Sequence, residues 1–130
     1  MWKDPTLHLS KKIRALNNGR RSEQQALKFL ESKGLTLIAS NVKYKFGELD
    51  LIMLEQQTII FVEVKYRRHE SYGGALYSLG KQQAIRLQRC AQAWLQKYDP
   101  HSRLACRFDL VALSGKFSDT ECVWIKNIFQ

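Results

Sequence analysis

The sequence has few cysteines and contains no long apolar run. The three cysteines, at positions 90, 106 and 122, are far apart and form no Cys-x-x-Cys pair, so neither a zinc site nor a disulfide framework is predicted. No apolar run approaches the ~20 residues of a membrane-spanning helix, and the N-terminal residues MWKDPTLHLSKK contain no signal-peptide core. We therefore expect a cytoplasmic protein without a membrane partner, with reduced and mostly buried thiols.

Acidic residues are also scarce, because 12 Asp and Glu stand against 21 Lys and Arg, giving a net charge of +9. The isoelectric point near 9.7 exceeds the value of about 9 that is typical of nucleic-acid-binding domains. This balance favours a polyanionic partner, and a basic surface without such a partner is the alternative. With 130 residues, 45% of them hydrophobic, the chain is long enough for one domain with a substantial core.

A β-hairpin is predicted in the central stretch from Phe46 to Arg68. Its strands are Glu48–Leu54 and Thr58–Tyr66, which flank a turn at Gln56 and Gln57. If the register is symmetric about that turn, opposite residues have numbers that sum to 113. One face is then wholly apolar and is predicted to face the core. Its pairs are Leu49 with Val64, Leu51 with Val62, and Met53 with Ile60.

The opposite face of the hairpin is apolar near the turn and charged farther away. In the same register Asp50 lies opposite Glu63, and Glu48 lies opposite Lys65. Directly opposed like charges destabilise a sheet, so the two carboxylates need a shared proton or a cation between them. Because Mg²⁺ binds one or two carboxylates together with phosphate oxygens, the pattern predicts a metal site. The alternative is an ordinary solvent-exposed face on which Glu48 and Lys65 form an ion pair.

The first helix is predicted from Ser22 to Lys33, with Ser22 and Gln25 forming a capping box and Gly34 as the C′ residue. Glu23 shares the face of the apolar stripe of this helix. From the residues alone it is either a first-turn acid favoured by the helix dipole or a third carboxylate directed at the hairpin.

The N-terminal residues 1–18 carry several Lys and Arg and show no sustained period. We expect them to form a loosely ordered basic arm, followed by a single domain over residues 19–130. The remaining strands are predicted at Leu35–Ala39, at Cys106–Leu113 with a turn at Ser114 and Gly115, and at an edge within Cys122–Phe129.

A polar loop and a second helix follow the hairpin, the helix running from about Gly80 to Tyr98. Arg67, Arg68 and Tyr72 lie in or beside the loop, and Lys81 lies near the helix start. Cations next to the charged end of the hairpin suit phosphate, and a tyrosine ring suits base stacking, so these four are predicted to bind nucleic acid. An ordinary flexible loop is the alternative. The helix also has a stripe typical of a buried face, made of Ala84, Leu87, Ala91, Trp94 and Tyr98.

The order helix, three strands, helix, strand carries Glu23, Asp50 and the triplet Glu63-Val64-Lys65. This arrangement resembles the PD-(D/E)XK nuclease superfamily, which has the fold of the type II restriction endonucleases. More closely, the chain is similar to the small bacterial YraN-like proteins, which are themselves similar to archaeal Holliday-junction resolvases. The stretches that carry the likeness are GRRSEQQA at 19–26, GELDLI at 47–52, FVEVK at 61–65 and RFD at 107–109.

The resemblance implies an α/β fold, a restriction-endonuclease-like three-layer sandwich in which helices flank a mixed sheet of four to five strands. It also implies that Asp50, Glu63 and the Val64 carbonyl bind Mg²⁺ or Mn²⁺, with Glu23 supporting this ion or a second one. Lys65 would orient or deprotonate the attacking water. Leu49 stands where the superfamily has a proline.

Together these features predict a divalent-metal-dependent endonuclease that hydrolyses phosphodiester bonds in nucleic acid. DNA is favoured over RNA, and branched or damaged DNA is the candidate substrate. A homodimer is also expected for a junction-cutting enzyme, because such an enzyme needs two sites. Two alternatives stay open: a nucleic-acid-binding module that does not cut, and a domain whose charged patch binds another protein. The presence of Asp50, Glu63 and Lys65 together speaks against the non-cutting module.

Overall fold

The computed structural model describes the backbone of residues 5–67, 79–116 and 118–129, and side chains within these ranges from Gly19 onward. The elements described follow in the order α1 (Pro5–Ser32), β1 (Thr36–Tyr44), β2 (Gly47–Glu55), β3 (Thr58–Arg67), α2 (Lys81–Tyr98), β4 (Ala105–Lys116) and β5 (Asp119–Ile125). Neither helix is long and apolar enough to cross a membrane.

The strands form one five-stranded sheet in the order β1-β2-β3-β4-β5. Strands β3 and β4 are parallel and are connected through α2, whereas the other neighbouring pairs are antiparallel. Two apolar clusters lie on opposite faces of the sheet. One contains Ala26 and Leu30 of α1, and the other contains Leu87 and Trp94 of α2. The mixed sheet between two helices confirms the predicted three-layer, restriction-endonuclease-like fold.

Helix α1 is longer than predicted, because it begins at Pro5 rather than Ser22. Ser22 is therefore buried in the interior of the helix, and the predicted capping box with Gln25 is wrong. Gly19 does not end the helix, since one glycine in a helix costs only about 1 kcal/mol relative to alanine. The segment predicted as a loose arm thus lies largely within the range of α1, and its side chains are outside the described residues.

The C-terminal end of α1 is as predicted. Gly34 has a φ of 96° and donates its N–H to the Glu31 carbonyl at 3.0 Å. Leu35 donates to the Leu30 carbonyl at 3.1 Å, and both leucines are buried. This pair of hydrogen bonds is a Schellman motif, whose left-handed residue is usually glycine.

The hairpin register is confirmed from Glu55–Thr58 to Leu51–Val62, and the β2–β3 ladder stops there. The predicted apolar face is wrong at Leu49. This residue packs in the cluster on the α2 side, whereas Leu51 and Met53 pack on the α1 side. Strict alternation fails because the two strands no longer pair backbone to backbone beyond Leu51.

Several other boundaries differ from the predictions. Strand β1 continues to Tyr44, and β4 runs through the predicted turn at Ser114 and Gly115 to Lys116. The edge position of the last strand is confirmed for β5. Helix α2 begins and ends as predicted, but Tyr98 at its end is 59% exposed instead of buried.

Candidate active site

Asp50 lies where strands β2 and β3 separate. Its Oδ2 accepts a hydrogen bond from the backbone N–H of Val64 at 2.9 Å. A side chain of β2 therefore replaces a backbone partner of β3. The consequence is a fork at the end of the hairpin, with Asp50 on one branch and Glu63 to Lys65 on the other.

Glu63 is 8% exposed and lies against Asp50, so the structure brings the two predicted carboxylates together although they are not ladder partners. Burial and the neighbouring Asp50 raise the pKa of Glu63 from 4.5 to about 8. Burial also raises the pKa of Asp50, while the hydrogen bond from Val64 acts in the opposite direction. In the absence of a cation the two carboxyl groups therefore share a proton near neutral pH.

Lys65 lies beside this pair and is oriented by a glutamine that was not predicted. Its Nζ is 3.8 Å from Glu63 Oε1 and donates to Gln83 Oε1 at 3.2 Å. Gln83 in turn donates through Nε2 to Glu63 Oε1 at 2.9 Å. Lys65 thus contacts Glu63 and Gln83 instead of forming the alternative ion pair with Glu48. The one available signal for Gln83 was its position, a polar residue four before the buried Leu87 on the helix stripe.

Two further carboxylates approach Asp50 from other elements. Oxygen atoms of Glu23, Glu48 and Asp50 all lie within 4.8 Å of one another. Glu23 projects from the interior of α1, so the interpretation as a first-turn acid is wrong. Burial and Asp50 raise the pKa of Glu23, and a hydrogen bond with the side chain of Asn41 lowers it. Glu48 precedes Asp50 on β2 and is exposed.

A cleft of about 170 Å³ opens over Glu48, Asp50 and Glu63, between β2 and the start of α2, whereas Glu23 lines a separate cavity with Ser40 and Asn41. The lining of the cleft includes Glu48, Asp50, Glu63, Gln83 and Arg86. Close approach of β2 to the helix depends on Gly47. A Cβ atom there would lie 3.0 Å from the Cys90 sulfur and 3.4 Å from the Cβ of Arg86.

Two of the four residues predicted to bind nucleic acid lie within the described part of the chain. Arg67 ends β3, and its guanidinium donates to the Tyr66 carbonyl at 3.0 Å. Lys81 is exposed in the first turn of α2. Arg68 and Tyr72 lie outside the described residues. Their roles, and that of the Val64 carbonyl as a metal ligand, stay predictions.

The carboxylates at the fork, together with those of Glu23 and Glu48 beside it, fit a hard divalent cation. Glu23, Glu48, Asp50 and Glu63 offer only carboxylate oxygens, the donors that Mg²⁺ and Mn²⁺ prefer over the nitrogen and sulfur of zinc sites. Burial, and after it repulsion from Asp50, raises the pKa values of Glu23 and Glu63, and a bound cation would relieve that repulsion.

The buried acid pair predicts a pH dependence of stability in the metal-free protein. A folded-state pKa of about 8 for Glu63, against 4.5 when unfolded, means that the folded state holds an extra proton between these values. The free energy of unfolding should therefore fall as the pH rises through this window and level off above it. At pH 9 in EDTA, Glu63→Gln should be more stable than the parent by about 2 kcal/mol or more, since one pKa unit is about 1.4 kcal/mol.

Urea denaturation at several pH values measures this difference. Glu31→Gln is the control, because it removes the same charge from an exposed glutamate on α1. Its free energy of unfolding should equal that of the parent at every pH. Lower stability of Glu63→Gln at pH 9, or a parent whose stability does not change between pH 5 and 8, would contradict the shared-proton arrangement.

A family model described as "Uncharacterised protein family UPF0102" matches residues 22–113, which include every carboxylate of the fork and Lys65. A UPF0102 protein of Pseudomonas putida (strain GB-1) is 46% identical over 114 residues, covering 86% of this chain and 92% of the relative. A UPF0102 protein of Stutzerimonas stutzeri (strain A1501) is 40% identical over 114 residues, covering 88% and 95%. One from Alcanivorax borkumensis is 39% identical over 114 residues, covering 87% and 91%.

Proposed function

The chain belongs to the uncharacterised protein family UPF0102, the YraN-like proteins, and we propose that it is a divalent-metal-dependent nuclease. Its reaction is hydrolysis of phosphodiester bonds in nucleic acid, DNA rather than RNA, with branched or damaged DNA as the substrate. One observation carries the proposal: Lys65 is held by Gln83 beside the adjacent carboxyl groups of Asp50 and Glu63, which line an open cleft.

Asp50 and Glu63 would hold the ion, and Glu23 would support it from α1. When bound, Mg²⁺ or Mn²⁺ would neutralise charge on the phosphate and lower the pKa of water. The fork gives each ligand a separate support, because Glu63 is held by Gln83 and Asp50 by the Val64 amide. These contacts fix the carboxylates before substrate arrives, which is the requirement for positioning a phosphodiester.

Lys65 would act on the attacking water rather than on the cation. Its side chain is 18% exposed and contacts Glu63 and Gln83, which line the cleft. A positioned ammonium in this place orients the water and stabilises the negative charge that develops during attack.

The charge of the chain supports a polyanionic substrate. The net charge is +9 in spite of the acidic fork, and Arg86 lines the cleft itself while Lys81 is exposed one turn earlier on α2. Cations at the rim would attract the phosphate backbone to a centre that repels it without a metal ion.

Calorimetric titration with Mn²⁺ tests the metal site. The parent should bind Mn²⁺, and Asp50→Asn or Glu63→Gln should weaken that binding at least about 10-fold, because each substitution removes one of the few anionic ligands. Glu31→Gln is the matched control and should bind like the parent. If the parent binds no Mn²⁺, or if all three variants match it, the fork is not the metal site.

A further inference from the structure

Three aromatic side chains, two of them half-buried, lie next to the cleft and pack against α2 or its apolar cluster. Phe46 and Tyr44 stack with ring centroids 5.4 Å apart and an interplanar angle of 8°. Both rings pack against the apolar cluster that contains Trp94 of α2, and Tyr98 packs on the same Trp94. We call Phe46, Tyr44 and Tyr98 the aromatic strip.

The far end of the aromatic strip is open to solvent. Tyr98 is 59% exposed, and one side of its ring packs on Trp94 with centroids 4.8 Å apart. Packing against a buried tryptophan holds the ring in place while much of it stays accessible. A fixed, accessible ring is a ready surface for another flat, apolar group.

Cations accompany the strip at both ends. The guanidinium carbon of Arg89 is 4.3 Å from the centroid of the Phe46 ring, and Lys97 Nζ is 5.3 Å from that of Tyr98. The exposed Tyr98 ring offers a contact to a base, and Arg89 and Lys97 offer contacts to the phosphates of the same nucleic-acid strand.

The strip begins at the cleft. Phe46 directly precedes Gly47, which lines the cleft, and Gly47 packs against Arg86 of α2. From Arg86 to Tyr98 the helix rises about 18 Å at 1.5 Å per residue. A nucleic-acid strand that lies along this part of α2 would enter the cleft near Phe46.

We propose that the aromatic strip binds a single-stranded segment of nucleic acid and delivers it to the fork. This inference rests on the proposed nuclease function, and it narrows the substrate to one with unpaired nucleotides next to the cleavage point. Duplex is disfavoured because its bases are stacked on each other and offer no free face to Tyr98. Base–aromatic stacking contributes about 1–3 kcal/mol per base, enough to select an unpaired strand.

Fluorescence anisotropy in EDTA measures the binding without cleavage. Labelled dT12, rU12 and a 12-base-pair duplex are compared, and both single strands should bind more tightly than the duplex. Tyr98→Leu should weaken dT12 binding about 5-fold or more, whereas Tyr98→Phe, which keeps the ring, should stay within 2-fold of the parent.

A second, matched pair of variants does not alter any ring. Lys97→Gln should weaken dT12 binding and reduce its salt dependence by about one phosphate contact. Lys126→Gln is the control, because Lys126 lies 4.2 Å from the Trp124 ring at the other side of the sheet and is predicted to have no effect. This pair keeps the test valid if Tyr98→Leu does not fold.

Two results would contradict the proposal that the aromatic strip binds single strands. One is duplex binding as tight as, or tighter than, dT12 binding, and the other is parental affinity for dT12 in both Tyr98→Leu and Lys97→Gln. If the parent cuts nucleic acid and the strip variants bind dT12 like the parent, the proposed role of the aromatic strip is wrong and the nuclease proposal is unaffected. If the strip variants lose single-strand binding and the parent cuts nothing with Mg²⁺ or Mn²⁺, the strip stands and the nuclease proposal fails.

Discussion

Lys65→Ala should lower phosphodiester cleavage by about 10²-fold or more, the scale of general acid–base assistance. It should leave the affinities for Mn²⁺ and for nucleic acid within a few-fold of the parent, because Lys65 is not proposed as a ligand. Loss of the ammonium beside Glu63 removes the group proposed to act on the attacking water, while Glu63 and Gln83 keep their hydrogen bond.

Cleavage is measured on junctions, flaps, nicked duplex, single strands and structured RNA, each with Mg²⁺ or Mn²⁺. Lys28→Ala is the matched control, since Lys28 is exposed on α1 and its loss changes the net charge equally. Equal residual cutting by parent and Lys65→Ala would identify a contaminating nuclease. Intact binding by the parent with no cutting of any substrate would favour the non-catalytic module.

The second large effect is on stability, at Asp109. This residue is completely buried on β4 and faces hydrogen-bond donors. It accepts from Arg107 Nε at 3.0 Å, from Trp124 Nε1 at 2.8 Å and from the Asn127 backbone N–H at 2.9 Å. Arg107 also donates a hydrogen bond to Glu55 Oε1 at 3.2 Å. The Asp109 carboxylate is therefore connected, directly or through Arg107, to β4, β5, the C-terminal segment and the hairpin.

Asp109→Asn should lower the free energy of unfolding by about 3 kcal/mol. The amide has the same shape but places an NH₂ group against donors and leaves Arg107 without its buried counter-charge. Asp119→Asn, at an exposed position of β5, is the control and should change stability by about 0.5 kcal/mol at most. Urea denaturation compares the two. A parental midpoint for Asp109→Asn would show that the network contributes little.

The likeness of Arg107-Phe108-Asp109 to the nuclease superfamily therefore has a structural explanation in this chain. Arg107 and Asp109 share a face of β4 and pair with each other, and Phe108 packs on Phe61 with centroids 5.2 Å apart. These contacts lie in the sheet rather than at the cleft. A motif can thus identify a fold through residues that hold it together.

Much of the sheet was predictable because its signals are local. The alternation of apolar residues and the short turn were enough to fix the hairpin register from Glu55–Thr58 to Leu51–Val62. The glycine after α1 and the stripe of α2 likewise marked real boundaries. Each of these features depends on neighbours in sequence or on one turn.

The site was less predictable because it depends on departures from local rules. A period of two cannot indicate that β2 leaves β3 at Asp50, or that Leu49 changes face there. Gln83 resembles Gln82 in the sequence, and only the fold brings it to Lys65. Helix α1 was underestimated because its N-terminal half shows no apolar period, and an element without a period gives no pattern to read.

The fork at Asp50 also affects how inactive relatives should be recognised. Because the Asp50 side chain is the acceptor for the Val64 amide, an apolar residue at this position would leave a part-buried donor unpaired, at a cost of about 1–3 kcal/mol. If the chain hydrolyses phosphodiesters as proposed, selection for folding alone would therefore retain an acceptor at position 50 in a relative that had lost this activity. A descendant that no longer cuts would keep this aspartate longer than Lys65, whose replacement leaves no backbone group without a partner. Loss of the lysine, not of the aspartate, is the earlier mark of lost catalysis.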